Sequence, residues 1–253
     1  MFAHRGGAKL APENTLIAFA NGLACGADGL ECDVHLSRDG VPVVIHDATL
    51  DRTTDAKGPV SALTADELAR VDAGYHFARD GQFPFRGQGI GVSPLEALLR
   101  RHETLTIIEL KQGAPQLARA VAEVIRRTKA VERVCVGSFH RLAVQTLRAE
   151  APEIATSACE PEARKTLYKS WLRLPTLSRK PYIAFQVPER AGSLRVVSPA
   201  FVRQVHHEGA TVQVWVVDQP ADVTRLLDWG VDGVISDRPD LAVATRNEWI
   251  KTQ

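Results

Sequence analysis

The segment Gly29 to Leu36 alternates strictly, with Leu30, Cys32, Val34 and Leu36 on one face of an extended chain and Glu31, Asp33 and His35 on the other. The same alternation returns in Thr106 to Lys111, where Ile108 and Leu110 oppose Glu109 and Lys111. If the apolar faces pack on helices, the acids point toward the centre or mouth of a sheet, where unpaired carboxylates are costly. On adjoining strands Glu31, Asp33 and Glu109 converge and repel one another unless a cation neutralises them. A donor set made only of oxygen favours one hard divalent cation, Mg²⁺ or Ca²⁺ with Mn²⁺ also suited, over Zn²⁺.

Two histidines are expected at the same place. Asp39-Gly40 is a two-residue hairpin signal; with those residues as the loop, Arg38 faces Val41, and counting back sets His46 opposite Asp33. His4 ends the first β-like run, beside the second. Imidazole titrates near neutrality, so a pair flanking a cation, with Arg5 and Lys111 as permanent positive charges, suits acid–base cleavage of an anionic substrate, phosphate before others. Taken singly each residue has a plainer explanation: a turn histidine before Gly6-Gly7, a solvated strand face, a salt-bridged strand end at Glu109 to Lys111, and Asn14 as a helix cap in Pro12 to Thr15. Convergence is what favours chemistry. The remaining histidines (His35, His76, His102, His140, His206 and His207) have no such companions and read as surface or structural.

The elements that must position these groups are parallel β/α units. Runs at Phe2 to Arg5, Leu30 to Leu36, Val43 to His46, Thr106 to Lys111, Val134 to Phe139, Ile154 to Ala158, Tyr182 to Val187, Val212 to Val217 and Gly233 to Ser236 read as strands, most of them followed by a helical pattern. Nine runs are one too many for a plain eight-stranded barrel. The connection at Ser37 to Pro42 is too short for a parallel crossover, so Val43 to His46 runs antiparallel and eight parallel strands remain. The expected fold is a distorted α/β TIM (β/α)8 barrel with a hairpin strand after strand 2, formed as one domain over 1–253, with a cap-like insertion at about 48–92.

Composition narrows the partners. Lys plus Arg number 31 and Asp plus Glu 30, a formal net charge of +1, so there is no basic field to gather nucleic acid or anionic lipid. No apolar stretch reaches the ~18 residues of a membrane span. The opening Met1 to Thr15 lacks the apolar core of a secretory signal, which makes a cytoplasmic location the expectation. Four cysteines without C-x-x-C spacing argue against a zinc knuckle or disulfide scaffold. Nothing in the chain bears on oligomeric state.

The motifs Ala3 to Gly7 (AHRGG), Pro12 to Thr15 (PENT), Leu30 to Val34 (LECDV), Val43 to Asp47 (VVIHD), Leu50 to Thr54 (LDRTT), Glu109 to Lys111 (ELK), Ser138-Phe139, Val214-Trp215 and Asp232 to Pro239 (DGVISDRP) resemble, in order and over nearly the whole chain, the glycerophosphodiester phosphodiesterases. The resemblance implies metal ligands at Glu31, Asp33 and Glu109, acid–base histidines at His4 and His46, and substrate or phosphate contacts from Arg5 and Lys111. It implies support from Glu13 and Asn14 near the first histidine, an aromatic at the mouth in Trp215, and a small-molecule glycerophosphodiester as partner. His140 departs from the family's usual small or acidic residue after Ser138-Phe139. Rival readings are a lysophospholipase D or sphingomyelinase D type, with Tyr75, Phe77, Phe83 and Phe85 as an apolar rim, a non-catalytic binding barrel, and, more weakly, a nuclease.

Overall fold

A computed structural model describes residues 1–172 and 180–253. In chain order its elements are β1 (Phe2–His4), α1 (Leu16–Ala24), β2 (Gly29–Leu36), β3 (Pro42–Val44), α2 (Ala65–Leu68), α3 (Leu95–Arg101), β4 (Leu105–Leu110), α4 (Pro115–Arg127), β5 (Val134–Gly137), α5 (Arg141–Glu150) and α6 (Glu160–Leu172). There follow β6 (Ala184–Pro188), β7 (Arg190–Ala191), β8 (Leu194–Arg195), α7 (Pro199–His207), β9 (Thr211–Trp215), α8 (Pro220–Asp228), β10 (Gly233–Ser236) and α9 (Pro239–Lys251).

The main sheet runs β5-β4-β2-β1-β10-β9-β6 with every neighbour parallel. The expected strand at Ile154 to Ala158 is narrower than anticipated: Thr156 bridges Val136 and Ser157 bridges Ala184, both in parallel. Those bridges span the interval between β5 and β6, so eight staves form a distorted (β/α)8 barrel, each followed by a helix. The alternation seen in the sequence is the reason it closes. Leu30, Cys32, Val34, Ile108 and Leu110 are buried under α3 to α5 with Leu98, Leu117, Val121 and Ile125. Phe185, Val212, Val214 and Val234 do the same against Phe201, Val205, Val223 and Leu226 on α7 and α8. Helix α6, α9 and the β7–β8 hairpin were not anticipated.

The hairpin register differs from expectation by one residue. β2 and β3 pair antiparallel as Val34 with Val44, His35 with Val43 and Leu36 with Pro42. The loop is three residues, not two, because Gly40 takes a left-handed φ of +76° and Ser37 N–H donates to the Val41 carbonyl at 3.0 Å. The Ser37 hydroxyl pins this turn, donating to Asp39 at 2.6 Å and accepting from Val41 N–H at 2.9 Å. A one-residue slip turns the partner face over, so His46 is not opposite Asp33; Ile45 N–H donates to the Asp33 carbonyl instead. After Val44 the chain leaves the ladder, and the insertion builds a small core of its own from Ile45, Leu50, Val60, Leu68, Ile90 and Val92 around Val43.

Candidate active site

All the singled-out polar side chains lie at the end of the barrel where the strands finish. At the end of β1 the chain turns through three successive left-handed residues, Arg5 (φ +51°), Gly6 (+85°) and Gly7 (+97°). Gly6 is required by space as well as by φ, since a Cβ there would lie 2.5 Å from the Ala18 backbone of α1. A non-glycine residue held left-handed costs on the order of 1–3 kcal/mol and is typical of functional turns. Here it aims Arg5 inward. Its N–H donates to Glu31 Oε2 at 3.0 Å, its Nη1 to Glu13 Oε1 at 2.9 Å, and its Nε stands 3.0 Å from Asp33 Oδ2 as an ion pair off the line of a hydrogen bond.

Asp33 and Glu109 are register partners across β2 and β4. Ligand oxygens of Glu31, Asp33 and Glu109 all lie within 4.8 Å of one another, so the convergence expected from alternation is present. Asp33 is almost wholly buried, yet its Oδ1 accepts no hydrogen bond, with Lys111 Nζ 3.5 Å away. Lys111 binds Glu109 more closely, at 3.1 Å. Burial first, then the Asp33 charge, raises the Glu31 carboxyl to about 8; burial likewise raises Glu109, against the opposing pull of Lys111. Clustered acids that burial drives toward protonation, with one buried oxygen lacking a donor, fit a bound hard cation on this chain's own geometry.

Asn14 is not a helix cap. Thr15 caps α1, its hydroxyl accepting from Ala18 N–H at 3.2 Å. Asn14, left-handed at φ +59°, instead clamps Asp33: its amide donates to Oδ2 at 2.9 Å and its carbonyl accepts the Asp33 N–H at 3.2 Å. Glu13 sits behind Arg5, between it and Arg52.

Each candidate histidine is held through Nδ1 by a carboxylate. His4 Nδ1 donates to Asp237 Oδ1 at 2.6 Å and its Nε2 lies 3.8 Å from Glu31. Burial pulls the His4 pKa down, but the Glu31 charge and the Asp237 hydrogen bond outweigh it and the net shift is upward. His46 Nδ1 donates to Asp47 Oδ1 at 2.6 Å, and Arg52 binds Asp47 and Glu13 together. The Arg52 hydrogen bond pushes the Asp47 carboxyl down to about 2. With Nδ1–H committed, Nε2 of each ring is the nitrogen left to exchange protons. His46 reaches the mouth because buried His35 donates through Nε2 to the His46 carbonyl at 3.0 Å.

Asp237, Asp47 and Arg52 were not singled out from the sequence. Asp237 stood in the motif Asp232 to Pro239, and closure explains its place: β10 pairs β1, with Ala3 beside Ser236, so the residues that follow the two strands emerge together. Asp47 and Arg52 stood in the recognised motifs without a role, and the salt-bridge geometry supplies one.

The side chains they hold in place border a cavity of about 600 Å³. Among its walls are His4, Arg5, Glu31, His46, Glu109 and Lys111. Trp215 joins them from the end of β9, edge-on to Phe139 at 6.0 Å between centroids. The insertion aromatics do not form a rim. Phe77 packs edge-on to Phe85 at 5.3 Å, and Arg86 lies over Tyr75 and Phe83, so they pack within the insertion. Among the described residues no helix is long and apolar enough to cross a membrane.

Residues 4–241 match the model of the glycerophosphoryl diester phosphodiesterase family. A glycerophosphodiester phosphodiesterase of Bacillus altitudinis is 33% identical over 98% of both chains. Among solved structures, the glycerophosphoryl diester phosphodiesterase domain of a Mycobacterium tuberculosis protein superposes with TM-score 0.84 over 98% of each chain at 24% identity, a likeness of fold. An Oleispira antarctica phosphodiesterase solved with the product sn-glycerol-3-phosphate is 25% identical, with TM-score 0.77 over 97% of this chain and 96% of that one.

Proposed function

The chain belongs to the glycerophosphoryl diester phosphodiesterase family, and from that premise we propose that it hydrolyses glycerophosphodiesters to sn-glycerol 3-phosphate and an alcohol, using one divalent cation and two histidines. What carries the reading is a single arrangement: three carboxylates are gathered within 4.8 Å, and two of them, Glu31 and Glu109, line the cavity that two carboxylate-held imidazoles also line. The product named in the Oleispira antarctica complex supports the substrate class.

Glu31, Asp33 and Glu109 are the ligands proposed for the cation, Mg²⁺ or Ca²⁺ by donor type with Mn²⁺ next. When bound, such an ion supplies Lewis-acid stabilisation of charge on the phosphoryl oxygens. Arg5 and Lys111 orient the diester and offset the negative charge that grows in the transition state. One histidine takes the proton of the attacking group through Nε2, and the other delivers a proton to the departing alcohol. Asp237 and Asp47 hold the two rings in the tautomer this requires. Asn14 fixes Asp33, Glu13 fixes Arg5, and Trp215 borders the substrate from β9.

The test is release of sn-glycerol 3-phosphate from glycerophosphocholine and glycerophosphoethanolamine. Exhaustive chelation is expected to abolish it, and added Mg²⁺, Ca²⁺ or Mn²⁺ to restore it. His46→Ala is expected to lose about 10²–10⁴ in turnover with its circular dichroism unchanged. Full activity after metal removal contradicts the cation, and no release from either diester contradicts the substrate class.

A further inference from the structure

The cavity that starts at the carboxylates and histidines does not end where a small polar diester would. Beyond the phosphate end its walls change chemistry, passing to Phe139, Leu167, Tyr168, Leu194, Trp215 and Val216. These come from four separate places: the turn after β5, α6, the β7–β8 hairpin and the end of β9. Several of them remain open to solvent at the mouth, Phe139 at 57%, Tyr168 at 50% and Leu194 at 40% exposure.

Several polar groups in this compartment already have protein partners. Ser138 donates to the Leu110 carbonyl at 2.6 Å, Gln186 donates to Gln213 at 3.0 Å, and Glu160 at the start of α6 is paired with Arg164 at 2.9 Å. A polar arm of a diester entering here would lose water and find few free partners, whereas an apolar arm would cover side chains that now face solvent. Helix α6 continues the theme. Ala163, Leu167 and Tyr168 face the cavity, and the next residue on that helical stripe, Trp171, is 53% exposed.

We infer that this compartment takes a hydrocarbon chain, so that the preferred substrates are single-chain glycerophosphodiesters of the lysophospholipid type; the inference rests on the reading above that the site hydrolyses glycerophosphodiesters. In 1-acyl-glycerophosphocholine the P–O bond to choline breaks. Water gives its OH to phosphorus and its remaining proton ends on the choline oxygen, leaving 1-acyl-glycerol 3-phosphate with its chain in the apolar compartment. The volume of about 600 Å³ sits within the ~300–1,000 Å³ typical of sites that enclose ligands of this size.

The experiment follows choline release from glycerophosphocholine and from its 1-acyl derivatives of increasing chain length, each kept below its critical micelle concentration. The expected result is kcat/KM rising by about two- to four-fold per methylene, up to a plateau where the chain fills the compartment. Leu194→Asp, on an exposed two-residue strand, is expected to flatten that rise while the fold holds. A flat or falling series with glycerophosphocholine still hydrolysed overturns this inference alone, and so does a slope that Leu194→Asp leaves unchanged. Silence on every member, glycerophosphocholine included, overturns the phosphodiesterase reading and this inference with it.

Discussion

Asp33 and His4, proposed as metal ligand and acid–base group, are each held on one side by an oppositely charged or hydrogen-bonding neighbour. Asp33 is bound through Oδ2 by Asn14 and Arg5, while Oδ1 accepts no hydrogen bond and has Lys111 Nζ at 3.5 Å. His4 is bound through Nδ1 by Asp237. Replacing Asp237 with Asn keeps the size but presents an amide that can donate to Nδ1, which stabilises the tautomer with the proton on Nε2. The expected loss in kcat is about 10²–10⁴ with KM little changed, by analogy with carboxylate-to-amide changes behind other catalytic histidines. The pH profile is the discriminating readout. Asp237 contributes to the upward shift of His4, so removing its charge lowers that pKa and moves the corresponding limb to lower pH. A fall in kcat with an unmoved profile would mean that Asp237 acts elsewhere.

At the scale of elements, the acidic faces of β2 and β4 were legible because alternation is a local property: the apolar partners of Glu31, Asp33 and Glu109 lie one residue away and declare which side is core. The register of β3 was not, because a left-handed Gly40 adds one loop residue without changing the composition of the turn. His46 nevertheless reaches the site, carried by a bond from His35 beyond the end of the ladder rather than by pairing. The apolar compartment was misplaced for a related reason. Tyr75, Phe77, Phe83 and Phe85 are close in sequence and look like a rim, whereas Phe139, Leu167, Leu194 and Trp215 are far apart in sequence and meet only when the barrel closes. Closure also concentrates demand on single glycines. Gly6→Ala must accept both a positive φ and a Cβ 2.5 Å from the Ala18 backbone, so the expected cost is about 3 kcal/mol or more. Urea unfolding should show it, with activity falling alongside as Arg5 is pushed off Glu31. Gly40→Ala is the control, since nothing lies within 4 Å of a Cβ there and only the positive-φ term of about 1–2 kcal/mol applies.

For the whole molecule, the consequence of building a barrel around buried acids is a stability that depends on what neutralises them. Burial raises Glu31 from 4.5 to about 8 and raises Glu109 as well. A carboxyl whose folded pKa is raised binds its proton in the native state where the unfolded chain has released it, so the metal-free protein loses stability as pH rises from about 4.5 to about 8. The Arg52-bound Asp47 has the opposite sign, its contribution being present above 3.8 and lost only as pH falls toward about 2, outside that window. The cation proposed for this site would take the place of the protons and bind the cluster only in the folded chain. At a concentration 100-fold above its Kd it adds about 2.7 kcal/mol, or roughly 5–10 °C in Tm for a chain of this size. Because protons compete for the same oxygens, the Tm difference between protein with Mg²⁺ or Ca²⁺ and protein with chelator is expected to be small at pH 5.5 and largest near pH 8.5. Glu31→Gln should flatten the chelated protein's decline across that range and shrink the cation's effect together. A cation shift of equal size at every pH, or one that survives loss of Glu31, would place the stabilising ion somewhere other than this cluster.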